Sequence, residues 1–113
     1  MPMSGAGSDC IFCQIINGKI AADFVYENEH VVAFHDAKPV APVHILIVPR
    51  KHIPTLNDIQ PGDDILAHVG QAAKHVASMF GVDEKGYRFF INVNRGGGQV
   101  IFHLHAHVVS KAV

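Results

Sequence analysis

A strict alternation of histidine with apolar residues near the C-terminus constrains this chain more than any other feature. The segment reads His103-Leu-His105-Ala-His107-Val-Val109. Residues two apart in a β-strand point to the same face, so the three histidines would share one face while Leu104, Ala106 and Val108 face a core. A helix would scatter the histidines around its axis. The pattern therefore predicts a half-buried strand, which we place over Val100–Val109.

Two helices are predicted from the spacing of apolar residues. Between Ile65 and Phe80 these residues recur at the spacing that is typical of an amphipathic helix. The Asp63-Asp64 pair can cap the start of this helix. A shorter helix is expected over Cys10–Asn17, with the Ser8-Asp9 pair as its cap.

Runs of β-branched and apolar residues predict four further strands. These strands cover Asp23–Glu27, His30–His35, His44–Val48 and Arg88–Val93. Short connections join the first three, so we expect them to form an antiparallel meander. The fold class is predicted to be α+β, with a five-stranded antiparallel sheet, one long helix and one short helix. The long helix covers one face of the sheet, which leaves the other face for a ligand, a partner or solvent.

The composition narrows the class of protein. The chain has 113 residues, so we predict a single domain over residues 9–113 after a flexible N-terminus over residues 1–8. Charged residues make up 17% of the chain and the net charge is -1, so neither nucleic acid nor a membrane is expected as a partner. We see no signal peptide and no transmembrane run, and expect a cytoplasmic protein. The chain has nine histidines, as many as its lysines and arginines together. This high histidine content makes the arrangement of the histidines informative.

Three imidazoles on one face suit two chemistries, a metal site and a histidine nucleophile. A glycine loop, Gly96-Gly97-Gly98-Gln99, directly precedes the predicted histidine strand. Glycines let backbone N–H groups turn toward an anion, so the loop favours a phosphate ligand and, with it, the nucleophile. A metal-dependent hydrolase with His103, His105 and His107 as ligands stays an alternative.

The segment His103–Val109 resembles the His-φ-His-φ-His-φ-φ signature of the histidine triad (HIT) superfamily, in which φ is an apolar residue. Further segments resemble the Hint branch of that superfamily in the same register. They are Cys10–Ile16, Val25–Glu27, Ala33–Asp36, Ala41–His44, Ile47–Ile53, Gly86–Arg88 and Gly97–Gln99. The resemblance runs from about Asp9 to Val109 and covers nearly the whole chain.

The resemblance implies a homodimer with one continuous ten-stranded sheet and a nucleotide hydrolase or transferase that needs no cofactor for catalysis. Such proteins cleave purine nucleoside phosphoramidates or aminoacyl-adenylates at the α-phosphorus and release a nucleoside monophosphate. His105 would be the nucleophile that forms a nucleotidyl-histidine intermediate, and His107 would contact the phosphate and assist catalysis. His103 and His44 would support the nucleophile by hydrogen bonding. The nucleotide-binding residues it implies are Asp36, Ala37, Asn92, Gly98, Gln99, Val100, Phe12, Ile15 and Phe34.

The two cysteines, Cys10 and Cys13, are spaced Cys-x-x-Cys and allow three interpretations. A redox pair would normally follow a strand in a βαβ unit, whereas this pair opens the chain. Inert buried thiols are common. Some HIT proteins with this spacing bind a structural zinc ion, and the resemblance supplies the two further ligands as His52 and His103. Zinc is therefore the favoured interpretation.

Two departures from the Hint pattern bear on activity. Val100 stands where Hint proteins usually have a serine, so a hydroxyl that could bind phosphate or deliver a proton is absent. The sequence given ends at Val113, earlier than Hint proteins usually do. Both departures keep open a second hypothesis, a purine-nucleotide-binding scaffold or regulatory protein with weak or vestigial activity.

The four remaining histidines are expected to be ordinary surface residues: His30, His35, His68 and His75.

Overall fold

The computed structural model describes residues 10–112, and there it has the predicted α+β architecture. In chain order the elements are α1 (Ile11–Ile16), β1 (Phe24–Glu27), β2 (Val31–His35), β3 (Val43–Pro49), α2 (Ile65–Met79), β4 (Arg88–Ile91) and β5 (Ala106–Ser110). The five strands form one antiparallel sheet in the order β1-β2-β3-β5-β4. The predicted meander of the first three strands is confirmed. The expectations for residues 1–8, and for the Ser8-Asp9 cap, lie outside the described residues.

Helix α2 covers one face of the sheet with a stripe of small apolar residues. Its buried positions are Ile65, Val69, Ala72, Ala73, Val76 and Ala77. The side chain of Asp63 caps the start, because its Oδ1 accepts a hydrogen bond from the Ile65 N–H at 3.0 Å. The helix ends at Met79, one residue before the predicted end. Alanines in this stripe allow the helix to approach the sheet closely.

Strand β3 is buried along its whole length because it lies in the middle of the sheet with packing on both faces. Ile45 and Ile47 belong to the core beneath α2. Leu46 and Val48 belong to a second apolar cluster, on the opposite face, with α1. The second face of the sheet is therefore occupied by a short helix rather than left to solvent, and α1 forms part of the site described below.

Strand β5 begins at Ala106, not at Val100 as the sequence predicted. The ladder between β3 and β5 runs as far as the pair Ile47 and Ala106. It stops near Pro49, which has no N–H to donate, and the Leu104 N–H instead donates to the Ile53 carbonyl at 2.6 Å. His103 and His105 thus precede the strand.

The alternation that defined the segment nevertheless holds in three dimensions. Leu104, Ala106 and Val108 lie in the core beneath α2, while His105 and His107 lie on the other side, with ring centroids 5.1 Å apart.

Among residues 10–112, no helix has the length and apolar character needed to cross a membrane.

Candidate active site

His105 is held by the backbone two residues before it. Its Nδ1–H donates to the carbonyl oxygen of His103 at 2.8 Å. A carbonyl can only accept, so the proton of the neutral ring sits on Nδ1 and the lone pair sits on Nε2. The side chain is buried, with 8% of the residue exposed, and this burial lowers the pKa of His105. A neutral imidazole with a fixed tautomer and a free Nε2 is suited to act as a nucleophile.

A relay of hydrogen bonds sets the tautomer of His107. The Val40 N–H donates to Nδ1 of His44 at 3.2 Å, so the neutral His44 ring carries its proton on Nε2. That nitrogen lies 3.0 Å from Nδ1 of His107 and 3.4 Å from Oδ2 of Asp36. With its Nδ1 as the acceptor, the neutral His107 ring carries its own proton on Nε2.

Nε2 of His107 is a buried nitrogen that has no hydrogen-bond partner among the residues that the structure describes. Leaving a buried donor unsatisfied costs about 1–3 kcal/mol, which marks the position as one that a ligand would complete. Burial, followed by the neighbouring His105 and His44, lowers the pKa of His107 to about 4. The ring is therefore neutral at pH 7 and presents a single N–H.

Helix α1 supplies an apolar wall beside the two imidazoles. The Phe12 ring lies edge-on to His105, with centroids 5.1 Å apart, and also packs edge-on against Phe34 at 5.7 Å. Ile15 is buried in the same cluster. Ile11, at the start of the same helix, is 44% exposed. The structure brings the three predicted apolar residues together.

The backbone of the glycine loop lies close to the side chain of Asn92. Gly98 has φ of 91°, a conformation that favours glycine. A Cβ at this position would lie 3.7 Å from Nδ2 of Asn92, so these two predicted residues are adjacent. Val100, just after the loop, is 83% exposed.

Gln99 lies within the loop rather than on its surface. Its side-chain Oε1 accepts from the Asn94 N–H at 2.8 Å, and its Nε2 donates to the carbonyls of Pro54 and Ile101 at 2.8 and 3.0 Å. The residue is 2% exposed. Since its amide is fully engaged, Gln99 supports the loop and does not offer a side chain to a nucleotide.

Cys10, Cys13, His52 and His103 form a compact cluster, as the sequence predicted. Each contributes one donor atom, and all four atoms lie within 4.8 Å of one another. Nδ1 of His103 lies 3.3 Å from Sγ of Cys10 and 3.6 Å from Sγ of Cys13. Nδ1 of His52 lies 3.4 Å from Sγ of Cys13 and 3.2 Å from Nδ1 of His103.

The four distances given match edges of a zinc tetrahedron, and the other two separations lie within 4.8 Å. With zinc bonds of about 2.0–2.3 Å, neighbouring donor atoms lie about 3.3–3.8 Å apart. Nε2 of His103 donates to the Pro49 carbonyl at 2.8 Å, so the lone pair of His103 is on Nδ1 and points into the cluster. The donor set and its geometry therefore fit a structural zinc ion.

The three triad histidines do not form a metal site. His103 directs its ligand nitrogen toward the cysteines, and His105 belongs to neither candidate metal group found among the described residues. The second such group is Asp36, His44 and His107. In this group the Nε2 of His44 carries a proton, so it functions as a donor within the relay rather than as a metal ligand.

Two residues at the site were missed by the sequence analysis. The Phe90 ring stacks on His107 with centroids 4.7 Å apart and an angle of 8° between the planes. The guanidinium carbon of Arg88 lies 4.6 Å from the centroid of Phe90. The sequence could have indicated both residues through the alternation along β4, the strand that pairs with β5, because residues two apart face the same side.

The other four histidines lie away from this centre, on α2, β2 and the β1–β2 turn. His30 stacks on His68 with centroids 3.6 Å apart, and His68 pairs with Asp64 at 3.2 Å. His35 packs against Phe80, and His75 packs against Tyr26. His75 is exposed.

Comparison with known proteins identifies the family. The model of the HIT domain matches residues 17–112. Purine nucleoside phosphoramidase of Escherichia coli K12 is 41% identical over 102 residues, which cover 89% of this chain and 86% of that protein. A HIT family hydrolase from Legionella pneumophila has a TM-score of 0.88 at 44% identity and covers 92% of this chain and 94% of that one. A zinc-bound histidine triad family protein from Mycobacterium smegmatis has a TM-score of 0.85 at 28% identity, covering 95% and 78%. The chain belongs to the HIT domain family.

Proposed function

We propose that this protein hydrolyses purine nucleoside phosphoramidates or aminoacyl-adenylates through a nucleotidyl-histidine intermediate, as an adenosine 5′-monophosphoramidase-like enzyme. The observation that carries the proposal is the opposite hydrogen bonding of two adjacent rings. His105 has its lone pair on Nε2 because Nδ1 donates to a carbonyl. His107 has its proton on Nε2 because Nδ1 accepts from His44. One ring can attack phosphorus while the other donates a hydrogen bond to the phosphate.

With a phosphoramidate, the first step forms a bond between Nε2 of His105 and the α-phosphorus and breaks the phosphorus–nitrogen bond. The departing amine takes a proton from solvent, because an amide-like nitrogen cannot leave as an anion, while the Nε2–H of the neutral His107 ring donates a hydrogen bond to the phosphate. In the second step, water attacks the phosphorus of the nucleotidyl-histidine, the bond to Nε2 of His105 breaks, and one proton of the water returns to solvent. The products are a nucleoside monophosphate and an amine, and no metal takes part in either step.

The nucleotide is proposed to bind along the face formed by α1 and the loop after β2. Phe12, Ile15 and Phe34 would contact the base, and Asp36 would accept hydrogen bonds from the ribose hydroxyls with the exposed Ala37 beside it. Asn92, Gly98 and the backbone at Val100 would hold the phosphate. The side chain of Gln99 is assigned to the loop itself, because its amide is already engaged.

The direct test is turnover of adenosine 5′-phosphoramidate by the wild type, by His105→Ala and by His75→Ala. We expect His105→Ala to lose at least about 1,000-fold in kcat/KM, because it removes the nucleophile. The matched control removes an exposed histidine from α2 and should keep wild-type turnover. Equal turnover by His105→Ala and the wild type would contradict the nucleophile assignment.

A nucleotide-binding scaffold with weak activity is a second candidate, and Val100 favours it. Its side chain is 83% exposed at the end of the glycine loop, in the position where a serine hydroxyl would face the phosphate. This candidate predicts AMP binding by calorimetry with negligible turnover of every phosphoramidate tested. Robust turnover by the wild type would exclude it.

We also propose a structural zinc ion held by Cys10, Cys13, His52 and His103. Support comes from the tetrahedral spacing of the four donor atoms and from the zinc-bound relative. When bound, zinc would fix the start of the histidine segment without touching substrate.

Both cysteines are free thiols in the described chain, which accords with a reducing cytoplasmic location.

A homodimer is proposed through pairing of β4 with its copy, which would give a ten-stranded sheet. The sheet has two edge strands, β1 and β4. Strand β1 has an irregular register between Phe24 and Tyr26, and irregular edges resist pairing. Strand β4 is regular and carries Phe89, which is 44% exposed. Sedimentation that shows only monomer at micromolar concentration would contradict this proposal.

A further inference from the structure

We propose that the preferred leaving group carries a carboxylate, as in an amino acid joined through its amino nitrogen to AMP, and that Arg88 binds this carboxylate. The inference rests on the proposed function, since it specifies which substrates the same site prefers. It disfavours aminoacyl-adenylates, because their leaving group carries an ammonium ion instead. Two observations carry it: the direction in which the leaving group departs, and the charge of the surface that it meets.

The leaving group departs on the side of the phosphorus away from His105. In a displacement at phosphorus the attacking and leaving atoms are roughly in line, so the leaving nitrogen lies opposite Nε2 of His105. His107 follows His105 on the same side of the sheet, and Val109 follows His107 on that face of β5. The leaving group therefore projects past His107 toward Val109.

Arg88 stands at this end of the site. It is the register partner of Val109, as Phe90 is of His107, and register partners point to the same face of a sheet. The guanidinium carbon of Arg88 lies 4.6 Å from the Phe90 centroid, and the Phe90 ring stacks on His107 with centroids 4.7 Å apart. Only these two contacts separate the guanidinium from His107, so a group attached to the leaving nitrogen can reach it.

The surface beyond His107 is cationic. A cleft of about 470 Å³ lies where β4 begins and β5 ends, and its lining, within the described chain, includes Lys85, Arg88 and Lys111 but no acidic side chain. None of the ion pairs among the described residues involves Arg88. Its planar guanidinium can therefore form paired hydrogen bonds with a carboxylate, whereas an ammonium ion would be repelled.

The chemical steps are those already proposed. Nε2 of His105 bonds to the α-phosphorus, the phosphorus–nitrogen bond breaks, and the nitrogen takes a proton from solvent and leaves as the amine of a free amino acid. Water then releases AMP from His105. The carboxylate is unchanged throughout, so Arg88 contributes binding and no proton. Pairing of β4 with its copy would use the strand backbone and leave the Arg88 side chain on the face of the sheet.

The experiment uses two adducts of AMP that differ in charge and very little in shape. In one, glycine is joined through its nitrogen to the phosphorus, and in the other glycinamide takes its place. We expect the wild type to have a kcat/KM for the glycine adduct about fivefold or more above that for the glycinamide adduct. High salt should reduce this ratio, because it screens the charge of Arg88.

Two substitutions of Arg88 and one control assign the preference. Arg88→Met removes the charge but keeps an unbranched side chain beside Phe90, and should bring the ratio close to one. Arg88→Lys should retain part of the preference. Lys74→Met is the matched control, because it removes one positive charge from the exposed surface of α2 on the opposite face of the sheet. It should keep the wild-type ratio, and sedimentation ensures that all variants are compared at equal oligomeric state.

The cationic cleft also suits a phosphate on the leaving group. Diadenosine triphosphate tests this alternative, because attack on its terminal α-phosphorus releases ADP. We expect it to be a poorer substrate than the glycine adduct and to depend less on Arg88. A greater dependence on Arg88 for diadenosine triphosphate would assign the cleft to phosphate and overturn the proposal.

Binding provides a second readout that needs no turnover. His105→Ala lacks the nucleophile, so calorimetry can compare its affinities for the two intact adducts. We expect tighter binding of the glycine adduct, and loss of this difference when Arg88→Met is added. Equal affinities in His105→Ala, or equal effects of Lys74→Met and Arg88→Met on the ratio, would overturn the inference. If the wild type cleaves neither adduct, the proposed function fails, and the binding comparison alone then decides the inference.

Discussion

The ring of His105 donates its Nδ1–H to the backbone carbonyl of His103 at 2.8 Å. The ring of His103 itself points the other way, with its Nδ1 3.3 Å from Sγ of Cys10. One residue thus contributes its carbonyl to the nucleophile and its side chain to the cysteine cluster. Any change that moves His103 is therefore expected to move the nucleophile as well.

Loss of zinc should weaken both the fold and the reaction. We expect about one zinc per chain by elemental analysis, and Cys13→Ser should bind little. Because four ligands then lose their common centre, the melting temperature should fall by about 5 °C or more. Turnover of adenosine 5′-phosphoramidate should fall with it, since His103 is released. A zinc-free wild type with an unchanged melting temperature would argue against the site.

The relay from His44 should matter to how His107 presents its Nε2–H to the phosphate. His44→Phe keeps a ring of similar size at this buried position but cannot donate to Nδ1 of His107. We expect kcat on the phosphoramidate to fall about 10- to 100-fold. His44→Gln can place an amide N–H near the same point and should recover part of the rate. Equal rates for the two variants would show that the hydrogen bond is dispensable.

Acid should destabilise the protein partly through His107. Its pKa is about 4 when folded, against 6.5 as the ordinary value, so the unfolded chain binds more protons between these two pH values. Stability is then fully present above pH 6.5 and declines as the pH falls toward 4. His107→Asn removes this titration, so its urea-unfolding free energy should depend less steeply on pH. Parallel pH curves for variant and wild type would contradict the assignment.

The amide of Gln99 should prove structural. Gln99→Leu keeps the approximate volume but leaves three backbone groups without their buried partner. A buried unsatisfied group costs about 1–3 kcal/mol, and these three groups are only partly buried. We therefore expect a loss of about 1–3 kcal/mol in the free energy of unfolding. Chemical denaturation measures the change. A loss in AMP affinity with unchanged stability would instead point to direct contact with the nucleotide.

Restoring a hydroxyl at position 100 should increase activity. Val100 is 83% exposed, so Val100→Ser changes the chemistry of the loop at little cost to folding. A hydroxyl there can bind the phosphate and assist the leaving group, and we expect kcat on the phosphoramidate to rise severalfold. Val100→Ala, which shortens the side chain without adding a hydroxyl, is the control. Equal rates for the serine and alanine variants would show that the hydroxyl has no role in the reaction.

Periodicity was sufficient to predict the elements, but not where each one ends. The alternation of the histidine segment correctly separated its two faces, while the predicted start of the strand at Val100 was wrong by six residues. The ladder stops near Pro49, which belongs to a different strand and lacks an N–H. A strand boundary depends on the partner strand, and no local pattern contains that partner.

The sequence by itself predicted the α+β fold and, through its resemblance to the HIT superfamily, the family and the grouping of Cys10 and Cys13 with His52 and His103. These features depend on local spacing or on motifs that stand in the chain as written. Only the tertiary structure decided which nitrogen of His107 carries the proton, because the deciding group, the His44 ring, is distant in sequence and contacts His107 from the neighbouring strand β3. The contact of Phe90 with His107 likewise follows from strand register, which forms only when the sheet assembles.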